Sequence, residues 1–187
     1  MESASLELRR GQLADAQILA SFAARAFAHT FAAENRPEDL AAHLEASFGL
    51  AQQTRELADP RYVTLLVMAG ADLAAYAQVR RQTPPPCVTD PAPVELYRFY
   101  VDAPRHGQGV AQRLMAAVHA AAAELAGRTL WLSVWERNPR ARAFYAKSGF
   151  RDVGTADFYV GSDRQTDRIL VCPVAVGALQ ATSGSKL

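Results

Sequence analysis

Cysteine is scarce. Cys87 and Cys172 are the only two, they lie far apart, and they fit no metal-ligand spacing. They read as ordinary thiols of a reducing compartment. A charge excess is also missing: the net charge is +1, so no global basic field argues for nucleic acid. Long apolar runs are absent, so no segment is expected to span or enter a membrane. The first residues, MESASLELRR, lack the apolar centre of a signal peptide, and a cytoplasmic location is expected. No internal repeat occurs. His29 and His43 have no neighbours that suggest a metal, and His119 sits within a helical pattern as a structural residue. No metal site is expected. What remains is a chain of 187 residues, 50% apolar and 21% charged, the size and balance of one domain with a full core. That domain is placed at 1–173, with 174–187 as a small, polar, mobile tail.

The most informative stretch is Glu95 to Leu114, ELYRFYVDAPRHGQGVAQRL. An apolar, aromatic strand, Leu96 to Val101, stops at Asp102-Ala103-Pro104. A basic loop with two glycines follows, Arg105-His106-Gly107-Gln108-Gly109. A helical stripe then runs through Val110, Leu114, Ala117, Val118, Ala121 and Leu125. The first turn of a helix has amides without internal partners, and the macrodipole makes that end positive. Gly107 and Gly109 let an anion approach the backbone, and Arg105 and Arg113 add charge. This predicts a pyrophosphate cradle. A Walker loop is excluded because no Gly-Lys-Ser/Thr follows. A dinucleotide fingerprint is disfavoured because Gln112 follows Ala111 and the third glycine is missing.

Along the chain, Leu6 to Arg9 alternates as a first strand. A helix from Ala14 or Asp15 buries Ile18, Leu19, Phe22, Ala26 and Phe27. Glu34-Asn35-Arg36 reads as a loop. Pro37 opens a second helix with the stripe Leu40, Leu44 and Phe48, ended by Gly49, and a further short helix is allowed over Ala51 to Leu57. Tyr62 to Met68 and Leu73 to Arg80 form a hairpin around Gly70. The proline-rich stretch Thr83 to Pro93 reads as a surface connection, with a rim over a pocket as the alternative. Thr129 to Val134 is a strand. Asn138 as N-cap, Pro139 at the first helical position, Gly149 after the end and Phe150 as closing contact define one more helix. Arg151 to Tyr159 and Arg164 to Pro173 are the last strands. The order predicts an α/β (mixed α+β) fold: a mainly antiparallel sheet of about seven strands with about four helices on its faces. The crossover from the Leu96 strand to the Trp131 strand should give one parallel pair. Asn138 and Tyr145 fall on one helix face, so a ligand on the cradle could run past Asn138 and receive a proton from the Tyr145 hydroxyl.

Together these residues resemble the GNAT superfamily of acetyl-CoA-dependent N-acetyltransferases. Its pyrophosphate motif, Gln/Arg-x-x-Gly-x-Gly/Ala, falls on His106-Gly107-Gln108-Gly109-Val110-Ala111. Its second motif is similar to Leu132-x-Val134 through Asn138-x-x-Ala141-x-x-Phe144-Tyr145-x-Lys147-x-Gly149-Phe150. The resemblance covers the first strand through Cys172 and departs at His106, where Gln or Arg is usual; an imidazole there adds sensitivity to pH. It implies acetyl-CoA as co-substrate, held by Phe99, Tyr100 and Val101 on a strand splayed from its neighbour (strands 4 and 5), by the cradle 106–111, and by Asn138, Arg142 and Lys147. It also implies that the Val101 N–H stabilises the oxyanion and that Tyr145 protonates the leaving thiolate. It allows a homodimer through an exposed strand.

An alkyl amine near pH 7 is almost wholly charged, with a pKa of about 10.4, so a base is expected. Glu95 is the candidate, and strand period places Glu95, Tyr97, Phe99 and Val101 on one face unless a bulge intervenes. Glu34, Asp39 and Glu136 are weaker alternatives. The pattern Thr30-Phe31, Pro37 to Leu40, Phe48, Glu56-Leu57 and Glu95-Leu96-x-Arg98-x-Tyr100-Val101 is similar to bacterial enzymes that acetylate polyamines and other small amines. A cationic acceptor would suit Glu34, Asp39 and Glu95 as pocket carboxylates. The alternatives are transfer to a protein or peptide amine, and a non-catalytic acyl-CoA-binding regulator. The terminal Ser185-Lys186-Leu187 is a peroxisomal address only in a eukaryotic source.

Overall fold

A mixed sheet carries the chain in the strand order β1-β2-β3-β4-β5-β7-β6. The computed structural model describes residues 5–33, 35–161 and 163–175. Its elements are β1 (Leu6–Arg10), α1 (Ala16–Phe31), α2 (Pro37–Phe48), α3 (Leu50–Ala58), β2 (Tyr62–Ala69), β3 (Asp72–Arg80), β4 (Pro93–Val101), α4 (Val110–Glu124), β5 (Thr129–Trp135), α5 (Pro139–Lys147), β6 (Arg151–Val160) and β7 (Asp163–Pro173). The short third helix allowed by the sequence is present as α3. It is separate from α2 because Gly49 takes an extended ψ of 155° between them.

Helix α4 lies on one face. Its Val110, Leu114, Val118 and Ala121 pack against Val94 and Leu96 of β4 and Leu130 and Leu132 of β5. Helices α1 to α3 lie on the other, where Leu19, Phe22, Phe27 and Phe48 meet Leu66, Met68 and Tyr76. The hydrophobic stripes read from the sequence are the stripes that face these two cores.

The β4–β5 pair is the only parallel one among the described strands, and it is short. Pro93, Val94 and Glu95 pair with Thr129, Leu130 and Trp131, and there the pairing stops. Beyond it β4 stays with β3 as far as Val101, while β5 stays with β7 as far as Trp135. The sheet therefore forks, as the family resemblance implied.

A bulge shifts the β3–β4 register, from Gln78 opposite Arg98 to Val79 opposite Leu96, and leaves Tyr97 as the extra residue. This corrects the face expected from strict alternation. Phe99 and Val101 join Leu96 on the α4 side, whereas Tyr100 packs with the α1–α3 core. Glu95 is on the α1–α3 side with Arg80, separated from Phe99 by the sheet itself.

The bulge is anchored by a buried polar group. Arg98, 5% exposed, donates to Glu56 (2.5 Å), to Gln78 (2.9 Å) and to the Ser47 carbonyl (2.6 Å). It ties β4 to α2 and α3. The loop before β4 is a surface connection that packs on the sheet. Its Val88 is buried against Trp131, Ile169 and Val171. After β7, the Val174 N–H reaches the Arg128 carbonyl (2.9 Å) and the Ala175 N–H reaches His119 Nδ1 (3.1 Å), which gives His119 its structural role. The proposed tail beyond residue 175, including Ser185 to Leu187, lies outside the described residues, and so does Glu34.

Candidate active site

The fork opens into a cleft of about 700 Å³ that runs from the β4–α4 loop, between β4 and β5, to the aromatic residues of α1, α2 and β6. Alternation along β4 decides which backbone groups face it. The Asp102 N–H bonds back to the Ala74 carbonyl on β3 (2.9 Å). Its neighbour Val101, and Phe99 two residues earlier, therefore present N–H and C=O on the opposite, open side. An extended ligand finds there the edge of a strand with no partner.

At one end lies the cradle. Gly107 and Gly109 have φ of 76° and 78°, a left-handed conformation that favours glycine, and a Cβ at either would meet nothing within 4 Å. The space is open to a ligand. The first bond of α4 runs from the Arg113 N–H to the Gly109 carbonyl (3.1 Å), so the amides of Val110, Ala111 and Gln112 have no partner inside the helix. Arg105 lines the cleft beside them. Helix α5 faces the cradle from across the fork. Its N-cap is Asn138, whose side-chain oxygen accepts from the Ala141 N–H (3.0 Å). Arg140 in its first turn donates to His106 Nδ1 (2.9 Å). A guanidinium only donates, so Nδ1 accepts, and the ring proton sits on Nε2, which donates to the Val101 carbonyl (2.9 Å). The imidazole in the unusual motif position thus links α5 to the open edge of β4.

Tyr145, one helical face along from Asn138, reaches the middle of the cleft. Phe99, Phe144 and Phe150 surround its ring at 5.5–6.3 Å between centroids. Burial pushes its phenol well above the usual tyrosine range, with the Tyr100 charge adding to the shift. The group holds its proton and is ready to donate it.

The far end is aromatic. Phe31 tilts against Trp135 (5.4 Å), and His43 stacks on Phe27 (4.7 Å) and meets Phe158 edge-on (5.7 Å). Burial, and then the Arg98 charge, lowers the His43 pKa, so its ring is neutral and behaves as part of the wall. Glu95, 6% exposed, lines the cleft and is bound by Arg80 Nε at 2.5 Å. Burial raises its pKa, and Arg80 opposes the shift.

The cleft brings together Phe99, Tyr100, Val101, His106, Gly107, Gly109, Ala111, Asn138, Tyr145 and Glu95 from the residues singled out in the sequence. It does not include the side chains of Gln108, Val110, Arg142 or Lys147. Gln108 turns back to the Pro104 carbonyl (2.7 Å), Val110 is a core residue, Arg142 bonds the Glu136 carbonyl (3.2 Å), and Lys147 is exposed. Asp39 also lies off the cleft, with its carboxylate against Gly161 in the β6–β7 turn. Sequence reasoning missed Arg140, Ser133 and Asp167, all of which line the cleft. Arg140 carried a signal in the first turn of a capped helix beside the cradle. Ser133 and Asp167 carried none beyond ordinary alternation.

A strand edge opened by a fork, an amide cradle at its mouth and a buried phenol beside the gap are the parts an acyl-CoA-dependent transferase needs. The comparisons with known proteins agree. Residues 24–150 match the model of the acetyltransferase (GNAT) family. An uncharacterized N-acetyltransferase of Mycobacterium tuberculosis is 34% identical over 159 residues, which cover 85% of this chain and 97% of that protein. An uncharacterized N-acetyltransferase of Lactobacillus delbrueckii subsp. lactis is 31% identical over 77% of this chain and 83% of that one. Among solved structures, the PaiA N-acetyltransferase of Thermoplasma acidophilum in complex with coenzyme A superposes with a TM-score of 0.72 at 17% identity, over 90% of this chain and 99% of that one. The chain belongs to the GNAT family of acetyl-CoA-dependent acetyltransferases.

Proposed function

We propose that this enzyme acetylates the primary amine of a small molecule by direct attack on the thioester, through a tetrahedral intermediate. The observation that carries this reading is the fork: β4–β5 pairing stops at Glu95 and Trp131, and Tyr145 lines the gap beyond. Pantetheine pairs with the open backbone of Phe99 and Val101, and the Val101 N–H meets the developing oxyanion. The diphosphate lies on the amides of 107–112, with Arg105 and Arg140 as counter-charges.

The amine enters from the aromatic end and must lose a proton. Glu95 is the base. Burial raises its affinity for a proton, and the Arg80 guanidinium opposes that rise. The nitrogen lone pair then attacks the carbonyl carbon; as the intermediate collapses the C–S bond breaks, the thiolate takes the Tyr145 proton, and the nitrogen gives up its second proton, which restores the phenol. Support for a small acceptor comes from the ring-lined far wall formed by Phe27, Phe31, His43 and Phe158.

Acetyl-CoA-dependent release of free thiol, measured with a panel of small amines and of peptides, tests the proposal. Turnover with small amines is expected. Turnover confined to peptides, or none with any amine, would overturn it.

A further inference from the structure

The far end of the cleft holds a carboxylate that the chain itself leaves incomplete. Trp135 and Asp167 are opposite each other in the β5–β7 ladder, and Ser133 is the next residue on the same face of β5. Asp167 is 6% exposed. One of its oxygens accepts from the Ser133 hydroxyl (2.5 Å), and the other is buried with no hydrogen-bond partner among the described residues. Burial raises the carboxyl pKa, the Ser133 bond opposes this, and the Glu136 charge adds to it. A buried carboxylate without a cation is costly, and no ion pair to Asp167 is formed among the described residues.

The cations of the cleft are committed elsewhere. Arg98 is taken by Glu56, Gln78 and Ser47, Arg80 by Glu95, and Arg140 by His106. Arg25 faces Asp102 at 3.9 Å, and Arg105 stands by the cradle. Of the three cleft carboxylates among the described residues, Glu95 and Asp102 have an arginine and Asp167 has none there. Trp135 stands opposite it in the ladder, Phe31 tilts against Trp135 (5.4 Å), and Tyr100 and Phe158 line the same cleft; aromatic rings attract a cation through their quadrupoles. Ser133 is the exposed end of the pair: its proton is spent on Asp167, so its lone pairs are free to accept from a ligand in the cleft.

We infer that Ser133 and Asp167 form a second cation subsite, which takes a positively charged nitrogen of the acceptor other than the one that is acetylated. The enzyme is then built for diamine-like acceptors. The aromatic wall holds the alkyl spacer, the distal ammonium sits on the Ser133 hydroxyl against the Asp167 charge, and the neutral proximal nitrogen is left at the thioester. This rests on the small-amine reading above and narrows it.

The test compares thiol release from short α,ω-diamines and from alkylamines of matched length that lack the second nitrogen. The expected preference in kcat/KM for the diamine is about tenfold or more, carried by KM rather than kcat, the scale of a desolvated ion pair. Asp167→Asn keeps the shape and the Ser133 contact and should remove most of that preference; Ser133→Ala should reduce it by less. Equal kcat/KM for the two series in the parent enzyme, or a preference that survives Asp167→Asn, overturns the inference. If no amine is turned over, the proposed function fails, and the subsite is read separately by calorimetric titration of the diamine into the CoA-saturated protein. Binding weakened about tenfold by Asp167→Asn supports the subsite, and binding that does not change, or no binding by the parent, refutes it.

Discussion

Tyr145 and Glu95 are opposite answers to one problem, which is how to hold a titratable group at the right protonation in a dry site. Burial, with the Tyr100 charge added, keeps the proton on Tyr145. At Glu95 burial pulls the same way, and a guanidinium pulls against it. Tyr145→Phe removes only the donor, so kcat should fall about 100-fold or more while acetyl-CoA affinity, measured by calorimetry, stays within twofold. Because the phenol is shifted upward, activity should not decline near pH 10, where an ordinary tyrosine ionises. Glu95→Gln should lower kcat about tenfold or more and flatten the rise of kcat/KM with pH on the acid side, read from a pH–rate profile. At this scale the sequence was informative where a motif names the residue, as for Tyr145 and the two cradle glycines. It was silent on Asp167, because an aspartate in an alternating strand looks like any polar position until a register places it opposite Trp135.

Elements position these groups by local rules, and most of those rules are short range. The N-cap, first-turn proline and closing glycine of α5 lie within one segment, so the helix was legible residue by residue. The bulge in β4 was not. It depends on β3 and on Arg98 reaching α2 and α3, contacts that no window of sequence contains. Two changes probe these devices. Gly109→Ala forces a Cβ into a left-handed position at a cost of about 1–2 kcal/mol and also crowds the cradle. It should raise the Kd for CoA more than it lowers Tm. Glu56→Ala leaves the Arg98 guanidinium buried without its carboxylate, which should destabilise the fold by about 3–5 kcal/mol in denaturant unfolding.

For the whole molecule, the polarity of the cleft is the organising fact. Arg105 and Arg140 stand at the cradle end, and Asp167, with no cation partner among the described residues, at the aromatic end. The free protein bears a stability penalty for this. A carboxylate whose pKa is raised on folding weakens the native state above that pKa, and the penalty fades as the pH falls and both states take up the proton. Asp167→Asn should therefore raise the Tm of the ligand-free protein at pH 7 by about 2–4 °C, a shift equivalent to roughly 1 kcal/mol in a chain of this size, and the gain should vanish near pH 4.

Only three rungs join the two halves of the sheet directly. On the reading proposed above, coenzyme A completes the remainder of that seam as a temporary eighth strand, and the enzyme is a more cohesive solid while loaded than while empty. The amide hydrogens of Phe99 and Val101 should then trade with deuterated water quickly in the unloaded enzyme and slowly once coenzyme A has closed the seam.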